Sequence, residues 1–104
     1  MARFILIATS GAQPGKEADF NRWYDEVHAP QVCSIPGVVS CQRYRQSAQS
    51  PSPAPAPFLA IYEIETDSPE AVMGELLRRA SKGELTQSSA LDPSNAKLWL
   101  YEVH

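Results

Sequence analysis

Positive charge, histidine, cysteine and long apolar runs are all scarce in this chain of 104 residues. Nine Lys and Arg stand against twelve Asp and Glu, a formal net charge of −3, and no basic cluster concentrates what positive charge there is. Tracking a phosphate backbone needs such a cluster, so no nucleic acid partner is expected. The apolar stretch after Arg3 ends at Thr9, about half the ~20 residues that cross a bilayer, so no membrane association is expected. Removing that stretch as a leader would delete what reads as the first strand, which points to a cytoplasmic protein. Cys33 and Cys41 lack the close ligand pairs and companion histidines of a zinc module and read as reduced, buried thiols. The two histidines, His28 and His104, are too few for a His-rich metal site. A phosphate-cradling glycine loop, a dinucleotide fingerprint, HExxH and GxSxG are all missing. Chemistry then rests on acid/base groups, a bound organic cofactor, or the reactivity of the substrate itself.

What is present suffices for one domain spanning residues 1–104, with hydrophobic residues at 43%. Arg3 to Ala8 is a short β-branched run closed by a Ser-Gly-Ala-Gln-Pro-Gly cluster, a strand followed by a loop. From Glu17 to Val32, Phe20, Trp23, Tyr24, Val27 and His28 recur at helical spacing, and Pro30 is expected to stop or distort that helix. Gly37 to Arg45 alternates as a strand with Val39, Cys41, Arg43 and Arg45 on one face. Phe58 to Glu65 is a third strand. Asp67-Ser68-Pro69-Glu70 then caps a second helix, which ends at Gly83. Lys97 to Val103 is a fourth strand. The order βαββαβ is the split βαβ, ferredoxin-like arrangement, an α+β protomer with an antiparallel sheet and both helices on one face. Between strands two and three, residues 48–57 alternate proline with serine and alanine, which favours a solvated, flexible hairpin tip.

Strands one, three and four are apolar on both faces, whereas an antiparallel sheet with one wet face alternates apolar with polar. Two helices cover one face only, and the other would expose a large apolar patch. A second copy packed face to face, a homodimer, is therefore expected.

His28 is the most informative polar residue because it sits on the apolar stripe of its helix, one turn after Tyr24. Two readings stand open. In one it is a core imidazole satisfied by backbone or by Asp25. In the other it is a general acid/base lining a pocket, where its titration range suits proton transfer. Trp23, Tyr24 and Phe20 are either core or the aromatic wall of such a pocket. Arg43 and Arg45 are either solvated edge cations or the partner of a substrate oxyanion. Tyr62 and Tyr44 are packing rings or phenolic donors, and Cys41 is activated only if a cation lowers its pKa. His104 reads as a frayed terminus.

Trp23 to Pro30 (WYDEVHAP), followed by Ile35 to Arg45 (IPGVVSCQRYR), resembles the dimeric α+β barrel superfamily, and within it the EthD-like branch. The resemblance implies a ferredoxin-like protomer whose sheet pairs with another to form a barrel, with a pocket between sheet and helices. It places Trp23, Tyr24 and His28 at the pocket end of the first helix, with His28 as the reactive polar group. Members include cofactor-free monooxygenases, isomerases, cyclases, lyases and haem-degrading enzymes, and fold alone does not choose among them. The chain departs from cyclase-like members in having no histidine inside a strand, and from haem-degrading members in having none on the second helix. The expectation is a cofactor-free enzyme acting on a small hydrophobic molecule, an aromatic or polyketide-like carbonyl or phenol compound, by proton transfer. His28 and Tyr24 would be catalytic, and Trp23, Phe20, Arg43 and Tyr62 substrate-binding. The alternative is a non-catalytic dimer that binds a small molecule or assists a partner enzyme.

Overall fold

The computed structural model describes residues 1–104. Its strands are β1 (Ala2–Ser10), β2 (Val38–Arg45), β3 (Phe58–Thr66) and β4 (Lys97–Glu102), in the spatial order β2-β3-β1-β4, all antiparallel. The helices are α1 (Glu17–Trp23), α2 (Ala29–Cys33) and α3 (Pro69–Ser81). This is the ferredoxin-like α+β fold. No helix is long and apolar enough to cross a membrane.

The chain between α1 and α2 does not break at Pro30. A π-helical turn, Tyr24–His28, joins the two, and the Ala29 N–H donates to the Tyr24 carbonyl five residues back. Proline has no N–H to give and its ring crowds the carbonyl four residues before it, so a locally widened register lets the helix run on. Pro30 then falls in the first turn of α2, where a missing donor costs little. The second helix starts as its sequence predicts. Ser68 accepts a hydrogen bond from the Ala71 N–H at 3.3 Å, with Pro69 and Glu70 in the first turn.

Phe4, Leu6 and Ala8 of β1 and Phe58, Ala60, Tyr62 and Ile64 of β3 are buried on the face that the helices cover. Phe20, Val32, Ile35 and Val72 meet them from above. Full burial of each large side chain is worth ~2 kcal/mol. Gly37 makes the turn into β2 with φ +99°, and a Cβ there would lie 2.9 Å from Val72 Cγ2. A bulge between Val38 and Ser40 shifts the face pattern of β2. Val38, rather than the expected Val39, shares the helix-side face with Cys41 and Arg43, and Val39 is exposed. The cysteines are free thiols and half-buried, not fully buried.

On the opposite face Ile5, Ile7, Leu59 and Ile61 are half-buried while Trp99 and Tyr101 are exposed, so an apolar surface runs across three strands. β4, the edge strand, is exposed along its whole length. Leu98 and Leu100 turn toward the helix side and are not covered. Leu98 thereby borders the slot between helices and sheet.

Candidate functional site

The π turn decides which side chains meet. In a regular α-helix residues five apart point about 140° away from each other. The wider turn returns His28 over Trp23, and the two rings stack with centroids 4.8 Å apart and planes 26° from parallel. Tyr24 approaches the same imidazole edge-on at 4.8 Å. π-turns recur at functional sites because they aim side chains that an α-helix would spread apart.

His28 stands at the junction of two clefts. One is an apolar slot of about 180 Å³ between helices and sheet, lined by Leu6, Val32, Leu76 and Leu98 together with Tyr24 and Tyr62. The other is an outer cleft of about 430 Å³ lined by Trp23, Thr86, Gln87, Ser88 and Leu91. His28, Ala80 and Leu85 belong to both. The imidazole Nδ1 is buried and makes no hydrogen bond, so neither backbone nor Asp25 satisfies it as a core histidine would require. Burial, reinforced by the positive charge of Arg43, lowers the His28 pKa from 6.5 to about 4, and the ring is neutral at neutral pH.

Behind His28 lies a phenolic pair. The Tyr62 hydroxyl donates to the Tyr24 oxygen at 3.1 Å. Both pKa values are pushed up, chiefly by burial. Because Tyr24 accepts from Tyr62, its own proton remains free for another acceptor, and the accepted bond polarises it. The Cys41 thiol lies against Tyr62, and its pKa too is raised, first by burial. It is therefore an unactivated thiol.

Arg43 is placed elsewhere. Its guanidinium lies over the Tyr24 ring, 4.3 Å from the centroid, and donates to Asp25 at 3.0 Å and Asn21 at 2.9 Å. The slot and the outer cleft are both built without it. Phe20 is fully buried beneath Trp23 and Tyr24 and supports the aromatic wall without facing either cleft. Of the six residues that the sequence nominates, His28, Tyr24, Tyr62 and Trp23 come together around the cavities, and Arg43 and Phe20 stand behind them.

The outer wall comes from residues that periodicity does not flag. The Trp23 indole N–H donates to the Thr86 carbonyl at 3.0 Å. Gln31 holds Thr86 from both sides, donating to its hydroxyl at 2.9 Å and accepting from its N–H at 2.8 Å. Further on, the Gln13 N–H donates to the Ala90 carbonyl at 2.7 Å and the Asp92 N–H to the Gly11 carbonyl at 2.9 Å. The segment after α3 is thus pinned as a wall. Its only sequence signal is the polar run Thr86-Gln87-Ser88-Ser89.

The EthD domain family matches over residues 12–77, which contain both halves of the first helix, the π turn and most of α3. No curated protein sequence matches the chain. Among solved structures, a haem-degrader, MhuD, from Mycobacterium tuberculosis with two haems in its active site superposes with a TM-score of 0.67 at 17% identity, over 96% of this chain and 94% of that one. An EthD (ethyl tert-butyl ether D) family protein of Bacillus halodurans gives a TM-score of 0.61 at 16% identity, covering both chains completely. HapK of Hahella chejuensis gives 0.52 at 14% identity, over all of this chain and 93% of the other.

Proposed function

The chain belongs to the EthD domain family, and from that premise we propose that it is a small homodimeric, cytoplasmic enzyme that binds a hydrophobic aromatic or polyketide-like carbonyl or phenol compound and moves a proton with His28. One observation carries the reading: His28, a neutral imidazole whose buried Nδ1 has no partner, lines an apolar slot together with a hydrogen-bonded pair of phenols.

The chemistry follows from those protonation states. A neutral imidazole accepts a proton from an O–H or an activated C–H of the bound compound. The negative charge that develops on the substrate oxygen meets the Tyr24 hydroxyl, already polarised by Tyr62. Desolvation and Arg43 disfavour the imidazolium in the free protein. An oxyanion formed beside the ring reverses that penalty, and the stacked Trp23 face adds cation–π attraction. The base is therefore neutral until a substrate arrives that supplies its counter-charge. Isomerisation, cyclisation, lyase cleavage and cofactor-free oxygenation share this first step.

Haem, the ligand of MhuD, does not fit these residues, because its two carboxylates would meet no cation in either cleft. The homodimer is supported by the uncovered face carrying Ile5, Ile7, Ile61, Trp99 and Tyr101, a contiguous apolar surface of the kind that marks an interface.

The test is an NMR titration of the His28 imidazole with a panel of phenols and 1,3-dicarbonyls. The ring is expected to stay neutral down to about pH 4 when free and to gain a proton at pH 7 when an acidic phenol or dicarbonyl occupies the slot. A ring whose resonances respond to no member of the panel favours the accessory, non-catalytic dimer instead.

A further inference from the structure

We propose that the ligand of this site is electrically neutral and built in two parts: a flat one- or two-ring portion carrying the phenol or carbonyl, seated in the slot, and an uncharged hydrogen-bonding tail, an amide or hydroxyl, lying in the outer cleft. The inference rests on the proton-transfer reading above and adds to it the charge and the shape of the substrate.

Charge is settled by what lines the walls. Neither cleft contains an Asp, Glu, Lys or Arg side chain. Several charges on the flanking elements are already committed, while Arg22, Lys82 and Lys97 make no ion pair but line neither cleft. Arg43 is held by Asn21 and Asp25, Arg78 and Arg79 are paired with Glu75 and, for Arg78, with Glu84, and the Asp92 carboxylate accepts from both the N–H and the hydroxyl of Ser94. A carboxylate, phosphate or ammonium seated against these walls would exchange part of its hydration for uncharged surface and gain no counter-ion. Phosphorylated compounds, carrier thioesters with charged arms, and carboxylic acids are disfavoured on this ground.

Shape follows from the two volumes and their linings. A cavity of about 150 Å³ is large enough to take benzene when it is apolar, and the slot is about 180 Å³ with aliphatic walls. The outer cleft is more than twice as large and offers uncharged polar side chains instead. Thr86 is occupied by Gln31. Ser88 Oγ accepts from the Ala90 N–H and keeps its own proton to donate. Gln87 adds an amide that both donates and accepts. Since His28, Ala80 and Leu85 line both spaces, a ligand with one part in each lies beside the imidazole. The reacting oxygen or carbon then lies at the join between the ring and its tail.

Isothermal titration calorimetry on the full chain at pH 7.5 with three matched naphthols tests this: 2-naphthol, 3-hydroxy-2-naphthamide and 3-hydroxy-2-naphthoic acid, in which the hydroxyl lies next to the tail. The amide is expected to bind at least tenfold more tightly than the acid and more tightly than 2-naphthol. Gln87→Lys, on the outer wall, should raise the affinity for the acid severalfold while leaving 2-naphthol unchanged. An amide-to-acid ratio below tenfold, with 2-naphthol still bound, overturns the neutral two-part ligand and leaves the proton-transfer reading standing. Failure of all three naphthols to bind overturns both.

Discussion

Replacing His28 with Gln removes one titrating group and retains a polar side chain of similar reach, so the pH dependence of stability isolates the imidazole. In the folded protein its pKa is lowered to about 4 against an ordinary 6.5. The unfolded chain therefore binds more protons between these values, and stability rises with pH across that window. Integrating the difference between pH 7.5 and pH 5.0 gives about 2 kcal/mol lost by the wild type through His28 alone. Below pH 4 the loss levels off near 3 kcal/mol, the equivalent of about 2.5 pKa shifts of 1.36 kcal/mol each. Carboxylates contribute with a different timing. Glu75, held at about 2 by hydrogen bonds from Arg78 and Arg79, and Asp92, lowered by Ser94, contribute stability that is present above the unfolded carboxylate range and is lost as pH falls below it. They do not act between pH 5 and 7.5 and they cancel between wild type and variant. The assay is urea denaturation of both proteins at the two pH values, at one fixed protein concentration because a dimer's stability depends on it. The wild type should lose about 2 kcal/mol more than His28→Gln on going to pH 5.0. Equal losses would show that the imidazole is solvated, and the neutral-base argument would fail with it.

Four other outcomes follow from the same contacts. Tyr62→Phe removes the proton donated to Tyr24 and should cost about 1 kcal/mol in urea denaturation, while the Tyr24 phenol titrates higher still in an ultraviolet pH titration; an unmoved phenol would mean that the pair is not hydrogen-bonded. Gln31→Ala removes both bonds to Thr86 and should speed amide exchange at Thr86 at least tenfold, with a loss of about 1 kcal/mol; unchanged exchange would show that the outer wall is held by other contacts. Gly37→Ala forces a β-carbon onto Val72 at a positive φ and should destabilise by about 1–3 kcal/mol in thermal or urea melts, and a neutral effect would refute the turn. Ile61→Lys on the uncovered sheet face should convert a two-chain mass to a one-chain mass in light scattering with the far-ultraviolet spectrum preserved, whereas a one-chain mass for the wild type would remove the dimer.

The order of strands and helices was open to reading because each element carries its own local signal. Two-fold alternation marks Gly37 to Arg45, a Ser-Pro-Glu start marks α3, and clusters of turn residues separate the runs. The doubly apolar strands also reported, through hydrophobicity alone, that one face of the sheet seeks a partner. His28 stood out because a lone imidazole on an apolar stripe is costly without a reason. For Arg43 the sequence leaves two readings open for a physical cause: alternation places it on the helix-side face, but nothing local reveals that Asn21, Asp25 and the Tyr24 ring hold it there. Val39 misled through the bulge, which inserts one residue and exchanges the faces of everything before it.

The sequence by itself determined the fold class, the family motif around Trp23–Pro30, and the presence of an imidazole beside aromatic rings, because propensity, periodicity and spacing act over a few residues. Tertiary structure alone decided that the helix crosses Pro30 through a π turn, that Tyr62 backs Tyr24, and that Thr86 closes the outer cleft. The last two join residues 38 and 63 positions apart, and the first is held by the packing of Trp23, Tyr24 and His28. Contacts of that range are fixed only when the whole core packs.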